Sequence, residues 1–388
     1  MMKKLVRFIS LILTVGFLCP AQVSAEESIG IEAPHAVLME ASTKEVLYEK
    51  DAHTASAPAS VTKIMTMLLI FEALEQGKVK LEDPVTVSEK AASMGGSQVF
   101  LERGEVQSVD TMLKCIAIAS ANDACVSMAE HVAGSEEAFV GKMNEKAREL
   151  GMENSHFVNC NGLDADGHVL SAYDVALMSR ELLIKYPKVH EYCTTWMETI
   201  VHKTAKGSQE FGLNNTNKLI RQYEYCTGLK TGSTGNAGFC VSATAKKDGM
   251  ELIAVIMNGE TSKSRFQDAR TLLNYGYANY QMYRDTDQER KPLSRILIKG
   301  GVKTETVPVY EKEFVHLLLE GENPKEIEKR IQLPEEIPAP VKQGQVLGTL
   351  DYYYGSKKLG EVALVAQEEI PKANYMDYVK RVWLAWMM

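Results

Sequence analysis

From residue 35 onward the apolar positions first come in two short runs, His35-Ala36-Val37-Leu38-Met39 and Glu45-Val46-Leu47-Tyr48. The polar stretch Ala41-Ser42-Thr43-Lys44 separates them, which predicts a β-hairpin. The pattern then turns helical. Residues 60–76 are rich in Leu, Met and Ile and end at Gly77, a residue suited to the left-handed position after a helix. Residues 111–132 repeat the helical spacing but are interrupted at Ser120-Ala121-Asn122-Asp123, where residues that favour caps and turns replace helix formers. Asp123 reads as the cap of the helix that follows. Spaced apolar positions predict two more helices, over 136–150 and 172–185. Two strand-like runs, 238–244 and 251–257, flank Lys247-Asp248-Gly249, which carries the Asp-Gly turn signal, and a last helix spans about 263–280. Strands at both ends with helices between them predict an α+β domain whose termini join one antiparallel sheet flanked by helices.

Near residue 288 the pattern changes again. The runs 295–299, 306–310, 314–319 and 362–365 are short, β-rich and separated by Gly and Pro turns, so 288–370 reads as a small all-β domain. Beyond Pro371, Met376, Val379, Trp383 and Trp386 or Met387 recur at helical spacing, with Lys372, Lys380 and Arg381 nearby. An amphipathic helix over 371–388 would lie on a membrane surface, its apolar residues in the headgroup boundary; the same spacing also suits a helix docked on the β domain. At the other end, Lys3, Lys4 and Arg7 precede an apolar run at 8–19, and Val23-Ser24-Ala25 supplies small residues for cleavage. Residues 1–25 therefore read as a secretory signal peptide, the run being shorter than the ~20 residues a span needs. The expected organisation is signal peptide, catalytic domain over 26–287, β-rich domain and membrane-associating helix, in a protein exported to the extracytoplasmic face of the cytoplasmic membrane or the cell wall.

Composition narrows the function classes. Removing the signal peptide takes three positive charges from a net charge of −8 and leaves −11, which speaks against a nucleic-acid partner. Six cysteines follow the signal peptide without C-x-x-C spacing, and a core of this size does not need staples, so mostly free, buried thiols are expected. Eight histidines are scattered without ligand spacing, and no metal or cofactor is expected.

Three short motifs carry the chemistry: Ser60-Val61-Thr62-Lys63, Ser120-Ala121-Asn122 and Lys230-Thr231-Gly232. A serine becomes a nucleophile only if a base takes its proton as it attacks. Ser60 and Lys63 are three apart at the start of a predicted helix, so their side chains share one face. The apolar surroundings of Lys63 disfavour its ammonium form, and a second cation, Lys230, would push the same way. The helix start offers the Ser60 N–H and a positive dipole end to a developing oxyanion. Ser120 and Asn122, in the break between two helices, can relay a proton and position both Lys63 and a substrate carbonyl. Lys230, Thr231 and Gly232 lie on or beside an edge strand, where an extended peptide can pair and its carboxylate can meet a cation and a hydroxyl. Each motif alone also fits a plain structural part: an N-cap with a solvated lysine, a capped kink, a strand end.

Taken in order, the three motifs resemble those of the low-molecular-mass penicillin-binding proteins that are serine-type D-alanyl-D-alanine carboxypeptidases. The segments 58–66, 118–124, Asn161-Gly162-Leu163-Asp164 and 228–234 extend the likeness. The resemblance implies a β-lactamase/transpeptidase-like fold and a Ser60 acyl-enzyme that releases the terminal D-alanine of a peptidoglycan stem peptide. Lys63 would be the base, Ser120 and Asn122 the relay and positioning pair, and Lys230 the substrate-binding cation. The backbone N–H groups of Ser60 and Ser233 would form the oxyanion hole, and Arg265 would lie near the substrate carboxylate. β-Lactam antibiotics would be covalent ligands. Several relatives have histidine where this chain has Ser233, and an arginine that some carry near residues 214–217 is absent. A class A β-lactamase is the nearest alternative, but no E-x-x-x-N occurs within 154–174. A D,D-endopeptidase would use the same residues, and a catalytically silent cell-wall-binding protein would not need both lysines and both serines.

Overall fold

A computed structural model describes residues 29–205, 207–286 and 290–387. The expected signal peptide and the expected boundary at 287–288 lie outside them. The strands His35–Glu40, Val46–Lys50, Cys226–Thr234, Gly238–Lys247 and Met250–Gly259 form one antiparallel sheet. Its spatial order runs from Val46–Lys50 through His35–Glu40, Met250–Gly259 and Gly238–Lys247 to Cys226–Thr234 at the edge. The expected hairpin and the Asp-Gly turn are both present, with Asp248 and Gly249 at positive φ.

Side chains alternate across a strand, and here both faces are apolar. Ile253, Val255 and Met257 enter one core and Leu252, Ala254 and Ile256 the other. The helix Ser262–Asn279 covers the second face, and Gly276 lets it approach closely, since a Cβ there would lie 2.5 Å from Leu252 Cδ1. The helices Lys63–Glu75 and Ala172–Lys185 lie on the first face. Residues 64–71 of Lys63–Glu75 are all buried and, Thr66 apart, apolar around the helix, which marks a helix enclosed on all sides until Glu72 and Glu75 reach the surface in its last turn.

The helix boundaries follow their caps. Ser135 and Ser171 side chains accept from Ala138 N and Asp174 N, and Gly151 ends the first of these helices at φ +75°. The interrupted helix is two helices, Val109–Ala117 and Asn122–Ala133. Asp123 does not cap the second. Ala121 holds the N-cap position, and the Asp123 carboxylate accepts instead from Val99 N and Leu101 N, both at 3.1 Å, and from Ala124 N at 3.0 Å. It ties down the 93–101 loop.

A further hairpin, Met197–Thr204 with Gly207–Asn214, stands beside the helices. Beyond the Ser262–Asn279 helix, Tyr280–Asp285 pairs with Phe314–Leu319 and leads into two small sheets with their own apolar clusters, around Tyr352 and around Ile298. The terminal helix Tyr375–Met387 has no buried residue. Arg381 fastens it through hydrogen bonds to the Gly301 and Val302 carbonyls. Among the described residues no helix is long and apolar enough to cross a membrane.

Candidate active site

The first motif folds as a single 3-10 turn, Ala59–Thr62, running straight into the Lys63–Glu75 helix. This turn sets Ser60 and Lys63 one above the other, with Lys63 Nζ 3.0 Å from Ser60 Oγ. Lys63 is completely buried. Its amine donates to Asn122 Oδ1 at 2.7 Å and to the Asn161 carbonyl at 2.6 Å. Burial pushes its pKa down from the ordinary lysine value. A neutral amine has two N–H donors and one lone pair. The two shorter bonds go to oxygens that can only accept, so the lone pair faces the Ser60 hydroxyl.

Asn122 is the first residue of its helix. Its side-chain amide donates to Gly95 O and its backbone N–H to Ser97 O, both at 2.7 Å, so the 93–101 loop fixes the carbonyl that Lys63 uses. Ser120, two residues earlier, sits at φ +61°, a left-handed conformation that costs a non-glycine residue about 1 kcal/mol. Its hydroxyl accepts from Lys230 Nζ at 2.9 Å.

Lys230 is buried on the edge strand Cys226–Thr234 and also donates to Thr231 O at 2.9 Å. Burial, and after it the positive charge of Lys63, pushes its pKa down to about 7. The two lysines were expected to repel, with Lys63 depressed. Burial dominates at Lys63, and the mutual repulsion is felt at Lys230. The Thr231 hydroxyl pairs with Thr216 Oγ1 at 2.7 Å. Gly232 runs against the Ser60 turn: a Cβ there would lie 2.6 Å from Ser60 N. Ser233 is exposed at the end of the same strand.

Arg265 is brought to this strand from behind. Its buried guanidinium donates through Nη1 to Gly232 O at 2.8 Å and Cys240 O at 3.1 Å, and packs on the Phe266 ring at 4.8 Å. Those donors are spent on the main chain of two paired strands, so its evident work is to clamp them.

The loop 158–171 holds functional groups to which no role was assigned on sequence. Asn161 contributes its backbone carbonyl, which has no side-chain signature. Gly162 lets the loop press on the nucleophile turn, since a Cβ there would lie 1.9 Å from Ala59 O. Asp164 accepts from Thr234 Oγ1 at 2.7 Å, tying the loop to the far end of the edge strand. The one available signal was the Asn161-Gly162-Leu163-Asp164 segment itself. The groups hydrogen-bonded to Lys63 include no carboxylate. Among the described residues no cluster of His, Cys, Asp or Glu could hold a metal ion.

Buried amine, adjacent hydroxyl, a second lysine–serine pair and an edge strand make an arrangement for acyl transfer to a serine from a peptide-like substrate. A family model described as D-alanyl-D-alanine carboxypeptidase matches residues 21–261, and one described as the C-terminal domain of penicillin-binding protein 5 matches residues 296–372. The D-alanyl-D-alanine carboxypeptidase DacF of Bacillus subtilis is 43% identical over 356 residues, covering 92% of this chain and 90% of that protein. The D-alanyl-D-alanine carboxypeptidase DacA of Escherichia coli is 32% identical over 367 residues, covering 92% and 89%. Among solved structures, penicillin-binding protein 5 from Haemophilus influenzae superposes with a TM-score of 0.75 at 28% identity, covering 88% of this chain and 98% of that one. Penicillin-binding protein D2 from Listeria monocytogenes, in an ampicillin-bound form, superposes with a TM-score of 0.56 at 29% identity, covering 63% and 97%.

Proposed function

The chain belongs to the D-alanyl-D-alanine carboxypeptidase family, and from that membership we propose that Ser60 is the residue acylated in its reaction, with Lys63 as the base. The protein is a serine-type D-Ala-D-Ala carboxypeptidase and a penicillin-binding protein of peptidoglycan metabolism. A stem peptide lies along the strand Cys226–Thr234, its terminal carboxylate met by Lys230 and Thr231 while Arg265 holds the strand from behind. Ser60 Oγ attacks the carbonyl carbon of the penultimate D-alanine as its proton passes to the lone pair of Lys63. The oxyanion is held by the N–H groups of Ser60 and Ser233. As the tetrahedral intermediate collapses, the C–N bond breaks and the leaving amine takes a proton relayed through Ser120, which is backed by Lys230 and positioned with Asn122. Water then adds to the ester as Lys63 takes its proton, and on collapse the C–Oγ bond breaks, Lys63 returns the proton to Ser60 Oγ, and the shortened peptide leaves as a carboxylate. A β-lactam enters by the same attack.

One observation carries this reading: a fully buried lysine amine 3.0 Å from the serine hydroxyl, its other two partners being carbonyl oxygens. The test is incubation with a pentapeptide ending in D-Ala-D-Ala, following free D-alanine, together with labelling by fluorescent penicillin and mapping of the labelled peptide. Ser60→Ala should release no D-alanine and take no label. Label on any other residue would sink the assignment.

On this reading residues 1–25 are a signal peptide, 26–287 the catalytic domain, 288–370 a β-rich domain and 371–388 a helix resting on the outer face of the cytoplasmic membrane. Support for the last comes from Tyr375–Met387, whose apolar side chains stand in solvent, Trp386 at 85% exposure.

A further inference from the structure

His168 is a buried titratable group that the reaction leaves unused. It is 3% exposed, and both ring nitrogens are engaged. Nδ1 accepts from the backbone N–H of Val158 at 2.9 Å and, more loosely, of Asn159 at 3.3 Å. An accepting Nδ1 places the ring proton on Nε2. Nε2 lies 2.9 Å from Thr62 Oγ1, and the Thr62 hydroxyl donates to Ala59 O at 2.8 Å. Every hydrogen in the chain then points the same way, from Val158 N–H through the imidazole and the threonine to the Ala59 carbonyl.

The Ala59 carbonyl and the Ser60 N–H are two ends of one peptide group. That group is planar and trans, so the two bonds point in opposite directions. Whatever holds Ala59 O therefore aims Ser60 N–H, and this nitrogen lies beside the edge strand, packed so closely on Gly232 that a Cβ there would be 2.6 Å away. The conformation needs outside support, because Ala59 sits at φ +48°, unfavourable for a residue with a Cβ. Gly162 lets the loop carrying His168 bear on the same carbonyl.

We propose that His168 is a positioning residue for acylation: through Thr62 it fixes the Ala59–Ser60 peptide so that Ser60 N–H meets the substrate oxyanion, a role that rests on Ser60 being the acylated nucleophile. The relay requires a neutral ring. Burial, with His156 adding and Asp164 opposing, pushes the His168 pKa down to about 4, so Nδ1 stays an acceptor at neutral pH. The Phe157 ring, edge-on at 6.0 Å, adds to the apolar surround.

The experiment measures, on the full chain, the second-order rate of acylation by fluorescent penicillin per labelled site, beside the thermal midpoint of each variant. Thr62→Val removes the hydroxyl at nearly constant volume and should slow acylation by about tenfold or more, while Thr62→Ser keeps the relay and the rate. His168→Leu should slow it comparably, and the double variant should be no slower than the slower single, because both cut one chain. A merely structural histidine would lower the midpoint and the labelled fraction but leave the rate per site within about twofold of wild type, and that result overturns the proposal. Additive slowing in the double variant overturns it as well. If His168→Leu does not fold, the Thr62 pair decides alone. A parent chain that takes no label at Ser60 overturns the functional reading, and the proposal with it, and is recognised by its unlabelled parent.

Discussion

The two lysines of the site are costly residues, and the cost is measurable apart from activity. Lys230 is buried with a pKa near 7, against an ordinary value of 10.5. Between those values the unfolded chain binds the proton more tightly than the folded one, so this group makes stability rise with pH across the window. Below about pH 7 it is charged in both states and its full burial cost is present. Lys230→Met should therefore be more stable than wild type at pH 7, by roughly 1–3 kcal/mol, while losing most acylation. The gap between the two proteins, read by urea unfolding, should narrow as the pH is raised toward 10. Buried thiols such as Cys115 and Cys240, raised by burial, act in the opposite direction but equally in both proteins, and cancel in the difference. A gap independent of pH would mean that Lys230 is not depressed. These side chains were legible in the sequence because their chemistry is carried by residue type and order. The Asn161 carbonyl was not, because every residue has one; Arg265 was expected near the substrate carboxylate, and its bonds to the Gly232 and Cys240 carbonyls carry no sequence signal either.

At the scale of elements, the nucleophile turn is held from two sides by glycines that allow backbone contact. Gly162 has φ +89°, and a Cβ on it would fall 1.9 Å from Ala59 O, a main-chain atom that cannot swing away. Gly162→Ala should displace the turn or the loop, cost more than 3 kcal/mol of stability on the order of other backbone clashes, and slow penicillin acylation at least about 100-fold. Gly167 in the same loop has φ +79° but no atom within 4 Å of its Cβ position. Gly167→Ala should therefore lose only the left-handed strain of about 1 kcal/mol and keep its acylation rate. Equal effects at the two positions, measured by thermal unfolding and labelling kinetics, would rule out the close approach as the cause. The helices around this turn were readable almost to the residue because Ser135, Ser171 and Gly151 write their ends into the sequence. The hairpin Met197–Thr204 with Gly207–Asn214 was not, since most of its residues face solvent and it carries no alternating apolar face. Asp123 was misread as a cap because its real partners, Val99 N and Leu101 N, are over twenty residues away and belong to the loop that fixes Asn122.

For the whole molecule, the question is what the terminal helix contributes, and its attachment gives a definite answer to test. The expected basic flank is smaller than the sequence suggested: Arg381 is committed to the Gly301 and Val302 carbonyls, which leaves Lys372 and Lys380 for headgroups. The apolar side is large and, among the described residues, unpartnered, with Val382 at 72%, Trp383 at 59% and Trp386 at 85% exposure. Each such side chain moved out of water is worth roughly 1.5–3 kcal/mol, whereas a surface lysine near anionic lipid adds about 1 kcal/mol and is screened by salt. Binding of the chain from residue 26 to lipid vesicles should therefore be carried by the aromatic residues and survive a rise in ionic strength. A chain ending at residue 372 should stay in solution, and Trp383→Asp with Trp386→Asp should do nearly the same. Release of D-alanine from a soluble pentapeptide should be equal in all three, because the helix is fastened to the 300–302 turn and not to the cleft. Vesicle sedimentation at low and high salt, with D-alanine release measured alongside, separates the outcomes. Loss of binding at high salt would transfer the role to the lysines, and loss of activity on truncation would show that the tail supports the catalytic domain instead of placing it at a surface.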